Sequence, residues 1–276
     1  MTMCVIWKGN FGNIYAATDS RLSFEEKRLD HCVKISRITC LLHEPGDVDD
    51  IRDTSKILVD KREIATLFCG GFTNAYIIKE SLTEILNKIV LMREYSNVSF
   101  SEIIDVAFSI YEKTSRDMFE LLMSERFGCI FYMISYCPVH NEMQAFKFEF
   151  KITANGIDYR KHKLFEDTNY EISGSGLSYL KQSGKVEDLV EEASRKNPYT
   201  PLLDILNSVI NSDECDSVGG AMQYISCKKD SLTLCCHLLF EDGQSKYMKA
   251  GIDVNELNEE FMPHGLFFET DVIAKR

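Results

Sequence analysis

The sequence has no long apolar run and no excess of basic residues, and these absences exclude several classes of protein. No stretch reaches the roughly 18 consecutive apolar residues of a membrane-spanning helix, and apolar stretches such as 130–134 have the length of a strand. The first residues lack the basic segment and apolar core of a secretory signal. The 31 basic residues stand against 43 acidic ones, a formal net charge of −12 that disfavours nucleic acid and anionic lipid. We expect a cytoplasmic protein that binds neither nucleic acid nor membrane.

Several familiar catalytic and metal-binding motifs are also missing. There is no Gly-x-Ser-x-Gly elbow, no Gly-x-x-x-x-Gly-Lys-Ser/Thr phosphate loop and no His-Glu-x-x-His zinc motif. The 10 cysteines include no Cys-x-x-Cys pair, and neighbours such as 235–237 would point to opposite faces of a strand. We therefore expect no metal and no cofactor, and we expect most cysteines to be buried and reduced.

Hydrophobic periodicity predicts an α+β fold. Strands that form sequential hairpins are predicted at 5–7, 14–18, 32–42, 64–69, 129–136, 144–152, 170–173, 221–227 and 232–239. Apolar residues spaced by three and four predict helices from a Thr73 cap, from a capping box at Ser99 and Glu102, and after Pro201. Sequential hairpins favour antiparallel sheets, and paired helices can cover their faces. We expect two such stacked sheets between two helical layers.

The residue with the most distinctive chemistry is Thr2, because it becomes the amino terminus if Met1 is removed. Removal of the first methionine is common in the cytosol when the next residue is small. A terminal α-amine has a reference pKa of about 7.7–8.0, so part of it is unprotonated near neutral pH and can accept a proton from its own hydroxyl. One residue would then supply both the nucleophile and the base.

Several blocks, in order along the chain, resemble the β-type subunits of proteasomes and the HslV-like bacterial peptidase, which are N-terminal-nucleophile (Ntn) hydrolases. Residues 2–10 and 17–21 resemble the opening hairpin with its Asp-Ser-Arg segment, and 32–35 resemble the lysine-bearing strand. Residues 66–75 resemble the paired glycines before the first helix, while 174–176 and 217–220 resemble two later small-residue turns. The resemblance implies a single domain over 1–276 with a four-layer αββα sandwich, an acidic insertion at about 43–60 and a C-terminal extension at about 240–276.

The resemblance also implies a nucleophile and a charge pair. Thr2 would be the nucleophile, while Asp19 and Lys34 would tune and orient it. A nearby ammonium favours the neutral amine and the developing alkoxide, and a carboxylate keeps that lysine charged. Lys56 competes with Lys34 for the role of catalytic lysine, because it lies nearer to Gly70 in the sequence.

Three further residues complete the implied site. The backbone N–H of Gly70 would donate to the oxyanion of a tetrahedral intermediate. Ser175 and Asp216 would complete the hydrogen-bond network around the Thr2 amine. Asp213 competes with Asp216, since both precede the paired glycines at 219–220.

The implied activity is threonine-type hydrolysis of peptide or amide bonds through an acyl-ester on Thr2, with a peptide or protein as substrate. The resemblance also implies a ring-like homo-oligomer and a possible ATPase unfoldase partner. One alternative is a non-catalytic structural or binding subunit of the same fold. Another is a hydrolase that uses a cysteine, since Cys4, Cys32 and Cys69 all lie near the implied site residues in the sequence.

Overall fold

The structure is a computed structural model, and it describes residues 2–24, 27–46, 55–91, 97–122, 128–154, 156–241 and 244–273. The elements, in chain order, are β1 (Met3–Lys8), β2 (Ile14–Thr18), β3 (Leu22–Phe24), β4 (Lys27–Leu29), β5 (Ile35–Pro45), β6 (Lys56–Gly70), α1 (Phe72–Leu86), β7 (Ile89–Val90), α2 (Phe100–Leu122), β8 (Cys129–Cys137), β9 (Glu142–Thr153), β10 (Gly156–Lys163), β11 (Tyr170–Gly174), α3 (Ser175–Ser183), α4 (Val186–Lys196), α5 (Pro201–Ile210), β12 (Gln223–Lys228), β13 (Ser231–Glu241), β14 (Gln244–Lys249), β15 (Ile252–Asp253), α6 (Val254–Phe261) and β16 (Val272–Ile273).

The chain divides into two compact units. Unit 1 consists of Met1–Ser36, Asp167–Ser226 and Thr233–Arg276, and unit 2 consists of Arg37–Glu166 and Cys227–Leu232. The expected single domain over 1–276 stays a prediction. No helix in the described ranges has the length and apolar character needed to cross a bilayer.

Unit 1 is built on a sheet with the strand order β11-β1-β2-β12-β13-β14-β15, and β16 pairs with β13. β1 pairs antiparallel with both β2 and β11. Because Met3, Val5 and Trp7 alternate along β1, they share one face of the sheet and enter one apolar core with residues of α5 such as Leu206 and Val209. All five residues from Met3 to Trp7 are buried, as expected for a central strand.

Unit 2 is built on a sheet with the strand order β10-β9-β8-β6-β5-β7, and α1 and α2 pack against each other and against this sheet. The capping box at the start of α2 is confirmed. The backbone N–H of Ser99 donates to Glu102 Oε2 over 2.6 Å, and the backbone N–H of Glu102 donates to Ser99 Oγ over 3.3 Å. The hydrogen bond from Ser99 lowers the pKa of the Glu102 carboxyl.

The α+β class and the local hairpins are confirmed. The strands predicted at 5–7 and 14–18 pair as β1 and β2, and those at 129–136 and 144–152 pair as β8 and β9. The sheets are not wholly antiparallel, because β5 pairs in parallel with β7 and β13 pairs in parallel with β16. The four-layer sandwich stays a prediction.

Several element boundaries differ from the sequence prediction. β5 begins at Ile35 rather than at residue 32, and β6 begins at Lys56 rather than at residue 64. Residues 47–54 of the predicted acidic insertion lie outside the described residues. The helix after the paired glycines begins at Phe72 with Gly71 as its N-cap, so the predicted Thr73 cap is wrong.

Candidate active site

Thr2 lies directly before β1 and is buried, with 1% of its surface exposed. Ser175, the first residue of α3, donates from Oγ to the backbone carbonyl of Thr2 over 3.4 Å. Its Oγ also lies 2.8 Å from the Oγ of Ser217. A side chain at Gly176 would approach the Met3 side chain to 2.5 Å, so only glycine allows α3 to begin this close to β1. These residues bring two hydroxyl groups to the start of β1.

Asp19 and Lys34 form a buried ion pair in the same unit. Lys34 Nζ donates to Asp19 Oδ1 over 3.0 Å, and the two side chains are 1% and 0% exposed. The same Oδ1 accepts the backbone N–H of Met3 at 3.0 Å, while Oδ2 accepts those of Arg21 at 3.1 Å and Gly219 at 3.2 Å. A buried charged pair needs such additional hydrogen bonds to offset its desolvation. Four donors therefore hold the Asp19 carboxylate in place.

The register of the first hairpin explains why Asp19 reaches Met3. Cys4 pairs with Thr18 across the β1–β2 ladder, so Asp19 is the next residue along and lies beside Met3. Met3, the residue that follows Thr2, is consequently hydrogen-bonded to the Asp19 carboxylate of the ion pair. A turn of five residues is enough to build this part of the site from local sequence.

Gln223 supports the segment that carries Lys34, and the sequence analysis did not identify it. Its Oε1 accepts the backbone N–H groups of Lys34 at 2.9 Å and Ile35 at 3.1 Å, and its Nε2 donates to the carbonyl of Cys32 at 2.5 Å. Gln223 lies at the start of β12, 189 residues from Lys34 in the sequence. A glutamine at the start of a strand carries no local signal for such a role.

Ser217 is the second residue that sequence reasoning missed as a site residue, although it lies in one of the small-residue turns of the resemblance. Asp216, which was expected in the network, has a side chain that is 72% exposed and pairs with Arg28 Nη2 at 2.8 Å. Asp213 is exposed as well. The geometry thus places a serine hydroxyl, and neither aspartate, beside Ser175. The predicted role of Asp216 receives no support from these contacts.

Arg21 and Asp30 brace the Asp-Ser-Arg segment. The guanidinium of Arg21 donates from Nε at 2.7 Å and from Nη2 at 2.9 Å to the two carboxylate oxygens of Asp30. This hydrogen bonding lowers the pKa of the Asp30 carboxyl and raises that of Arg21. A side chain at Gly219 would approach the guanidinium carbon of Arg21 to 2.3 Å, which explains the glycine there.

Gly70 and Lys56 lie at the two ends of β6 in unit 2. Gly70 has a φ of +106°, and a Cβ there would approach a backbone carbonyl oxygen to 2.5 Å, so glycine is required for local reasons. Lys56 is exposed. The proposed oxyanion role of Gly70 stays a prediction.

The cysteines are all free, and nine of the ten are buried. Burial raises the pKa of the Cys32 thiol, and it does the same for Cys215. Because the thiolate is the reactive form, these environments disfavour a nucleophilic role. The described residues contain no cluster of three or more His, Cys, Asp or Glu side chains suited to a metal ion.

No protein-family model matches the sequence, and no curated protein matches it. Solved structures do match. Anbu (ancestral beta-subunit) from Yersinia bercovieri has a TM-score of 0.53 and 14% identity, over 84% of this chain and 86% of that chain. The Anbu complex from Pseudomonas aeruginosa, a helical assembly, has a TM-score of 0.51 and 14% identity, over 95% and 93%. A Gly-1 mutant of Anbu from Hyphomicrobium sp. strain MC1 has a TM-score of 0.50 and 15% identity, over 99% and 100%.

These comparisons show an Ntn-like α+β fold and correct the expected family. The matching structures are Anbu proteins, which are proteasome-like relatives, and the match has no family-model or curated support. The assignment to the proteasome β-type subunits or to the HslV-like peptidase is therefore wrong. The sequence blocks behind it form the hairpin ends and tight turns of unit 1 and the end of β6, and such features mark a shared fold rather than one family.

Proposed function

We propose that the protein is a threonine-type Ntn hydrolase that cleaves peptide or other amide bonds, with Thr2 as its nucleophile once Met1 is removed. The observation that carries this proposal is the buried Asp19–Lys34 pair, whose carboxylate also accepts the backbone N–H of Met3, the residue next to Thr2. A fully buried lysine with a matched carboxylate is a demanding arrangement for stability alone. At the start of β1 it supplies the positive potential that a threonine nucleophile needs.

The proposed reaction uses one residue as nucleophile and base. The free amine of Thr2 accepts the proton of its own hydroxyl as Oγ attacks the substrate carbonyl carbon. The proton then passes to the leaving nitrogen as the C–N bond breaks, which leaves an acyl-ester on Thr2. Water, activated by the same amine, hydrolyses the ester to a carboxylic acid and restores Thr2. The Lys34 ammonium favours the neutral amine, and Ser175 and Ser217 provide hydroxyls for relaying the proton.

The contacts favour Lys34 over Lys56 as the lysine of this reaction. Lys34 is buried, ion-paired with Asp19 and held by Gln223, whereas Lys56 is exposed at the start of β6. A lysine whose head group is fixed by a buried carboxylate keeps its position. Ser175 enters the proposal with a direct contact to Thr2, and Ser217 enters through Ser175.

We also propose that the protein forms a homo-oligomer. The Anbu complex from Pseudomonas aeruginosa, one of the structural neighbours, is a helical assembly. A ring-like arrangement, a peptide or protein substrate and an ATPase unfoldase remain predictions.

A non-catalytic subunit of the same fold is the second candidate, and one observation favours it. Thr2 is 1% exposed in the chain that carries Met1, whereas a nucleophile must meet its substrate. In such a subunit the Asp19–Lys34 pair would serve only to fix the start of β1.

The test begins with the intact mass of the purified native protein, which reports whether Met1 is gone. The protein is then incubated with a peptidyl vinyl sulfone, and the labelled residue is identified by mass spectrometry. We expect one adduct per chain on Thr2, retained in Thr2→Ser and absent in Thr2→Ala. Loss of one preorganised electrostatic contact lowers rates by about 10²–10³-fold, so labelling of Lys34→Ala should slow by this amount while Lys56→Ala labels normally.

Native Trp7 fluorescence of Lys34→Ala confirms that unit 1 is folded before its labelling is measured. Met1 retained in protein that still reacts would overturn the threonine mechanism. A label on a cysteine that is still formed in Thr2→Ala would show that a cysteine, rather than Thr2, is the nucleophile. Folded protein that has lost Met1 and takes no label would favour the non-catalytic subunit.

A further inference from the structure

Lys34 lies on a segment that has no regular secondary structure. Residues 30–34 join β4 to β5 and belong to neither strand, so their position depends on contacts made one residue at a time. Ser20 supplies two of these contacts. Its Oγ donates to the carbonyl of Asp30 over 2.7 Å, and its carbonyl accepts the backbone N–H of Cys32 at 2.9 Å. The place of the Lys34 ammonium is therefore set by whatever holds this segment.

A tight hairpin near the C-terminal end of the chain also touches the segment. The two turn residues that join β14 to β15 are Ala250 and Gly251. Their φ values are +54° and +82°, the left-handed conformation that a type I′ turn requires. The carbonyl of Gly251 accepts a hydrogen bond from Nδ1 of His31, and this nitrogen carries the proton because a carbonyl can only accept. The turn thereby holds the residue three positions before Lys34.

The close approach of this turn to the segment requires a glycine. A Cβ at Gly251 would approach His31 Cα to 2.5 Å and the carbonyl oxygen of Asp30 to 2.9 Å. Both are backbone atoms, so a side chain at this position would displace either the turn or the segment. Gly265, after α6, has nearly the same φ, +81°, but a Cβ there would meet no atom within 4 Å. The two glycines therefore share a backbone conformation, and of the two only Gly251 presses on the segment.

The hairpin is itself held firmly within unit 1. Asp253 Oδ1 accepts the backbone N–H groups of Tyr247 and Asn255, each at 3.0 Å. The Nδ2 of Asn255 donates to the carbonyl of Ser245 at 3.0 Å. These bonds join β14, β15 and the start of α6, so the turn is a fixed support for the segment rather than a loose loop.

The neighbouring strand β13 makes a second, indirect contact with the lysine segment. Its residue His237 accepts the backbone N–H of Met222 at Nδ1, over 3.1 Å. Met222 directly precedes Gln223, whose side chain accepts the backbone N–H of Lys34. Because β13 pairs with β14, the strands β13, β14 and β15 form one ladder that reaches the segment by two routes.

We propose that this C-terminal ladder positions Lys34, with Gly251 and His31 as positioning residues that set the place of the Lys34 ammonium relative to Thr2. The inference rests on the proposed function, because Lys34 is the lysine of the proposed reaction. A displacement of about 1 Å in a reacting group can slow an enzyme by about 100-fold. The ladder acts through residues 30–34 rather than on the substrate.

The test compares two glycine variants that carry the same backbone strain. Full-length protein is labelled with the peptidyl vinyl sulfone, and native Trp7 fluorescence first confirms that unit 1 is folded. We expect Gly251→Ala to label Thr2 about tenfold to 100-fold more slowly than the unmodified chain. Gly265→Ala is the matched control and should label at the normal rate. Equal rates in the two variants would overturn the inference.

Substitutions of His31 provide a milder test if Gly251→Ala does not fold. His31 is exposed, so its replacement should leave the fold intact. His31→Ala removes one hydrogen bond to the turn and should slow labelling of Thr2 about threefold to tenfold. His31→Asn retains a donor that can reach the carbonyl of Gly251, and it should restore most of the rate. Labelling of His31→Ala at the normal rate would contradict a positioning role.

Hydrogen exchange separates this inference from the proposed function. The backbone N–H groups of Cys32 and Lys34 bind Ser20 and Gln223, and their exchange is followed by mass spectrometry. Gly251→Ala should speed this exchange about tenfold or more, while Gly265→Ala should not. Unchanged exchange in Gly251→Ala would overturn the inference. If the unmodified chain takes no label but exchange responds as expected, the proposed reaction fails and the positioning of Lys34 is still supported.

Discussion

Removing either charge of the buried Asp19–Lys34 pair should destabilise unit 1, and the two substitutions should differ in how much stability they remove. Breaking a buried pair by removing one partner leaves an uncompensated charge and costs about 3–5 kcal/mol. In Lys34→Met the Asp19 carboxylate keeps three backbone N–H donors, so we expect a loss near 3 kcal/mol. In Asp19→Asn the Lys34 ammonium has lost its carboxylate, and the new amide offers one acceptor oxygen where the carboxylate offered two. We expect a loss near 5 kcal/mol.

The double variant completes the cycle. Asp19→Asn with Lys34→Met removes both charges, so its loss should be smaller than the sum of the single losses by about 2 kcal/mol or more. Urea unfolding at pH 7, followed by Trp7 fluorescence, reports on unit 1, which contains all three residues. Glu191→Gln is the control, because its pair with Arg195 is exposed to solvent and its loss should leave the urea midpoint nearly unchanged. Additive losses, or a loss below about 1 kcal/mol for Asp19→Asn, would refute the reasoning.

Three further predictions concern unit 2. Ser99→Ala should destabilise unit 2 by about 0.5–2 kcal/mol in urea unfolding, since it removes the α2 cap. The folded pKa of Glu102 is lowered, so the stability that its carboxylate contributes is present above its unfolded pKa and is lost as the pH falls through the folded value. The penalty of Ser99→Ala should therefore shrink in acid. Cys40 should alkylate slowly at pH 8 in native protein and rapidly in urea, as mapped by mass spectrometry, because burial raises its pKa to about 11 and leaves about one thousandth of it as thiolate. Gly70→Ala should lower the free energy of unfolding by at least about 1–3 kcal/mol, because alanine is strained at the positive φ of this position. Gly12→Ala should lower it less, because Gly12 also has a positive φ, +75°, but an added Cβ there would have no atom within 4 Å. Equal losses of stability in the two variants would contradict this prediction.

The elements that could be predicted are those with local signals. The Gly-Asn turn between β1 and β2, the capping box of α2 and the hairpin of β8 and β9 are each encoded within a few residues. The pairing of Asp19 with Lys34, which the structure brings together, spans 15 residues and one hairpin. Contacts within this range follow from turn chemistry and strand register.

The residues that could not be predicted are set by contacts between distant segments. Gln223 bonds to the segment at Lys34 across 189 positions, and Ser217 meets Ser175 across 42. The family resemblance indicates Asp216, yet the side chain of this residue pairs with Arg28 at the surface. Neighbouring positions in a turn point in different directions, and only the folded backbone decides which of them faces inward.

The wide sequence spacing of the Asp19 network has a consequence for synthesis on the ribosome. Its carboxylate binds the N–H of Met3, which is made first, and that of Gly219, which lies 200 positions after Asp19. At translation rates of about 5–20 residues per second, roughly 10–40 s pass between the emergence of these two donors. A nascent chain released before residue 219 lacks both this donor and the glutamine that holds Lys34. Termination before residue 219 therefore yields fragments with an incomplete charge network, so the proposed chemistry requires synthesis of the chain through Gln223.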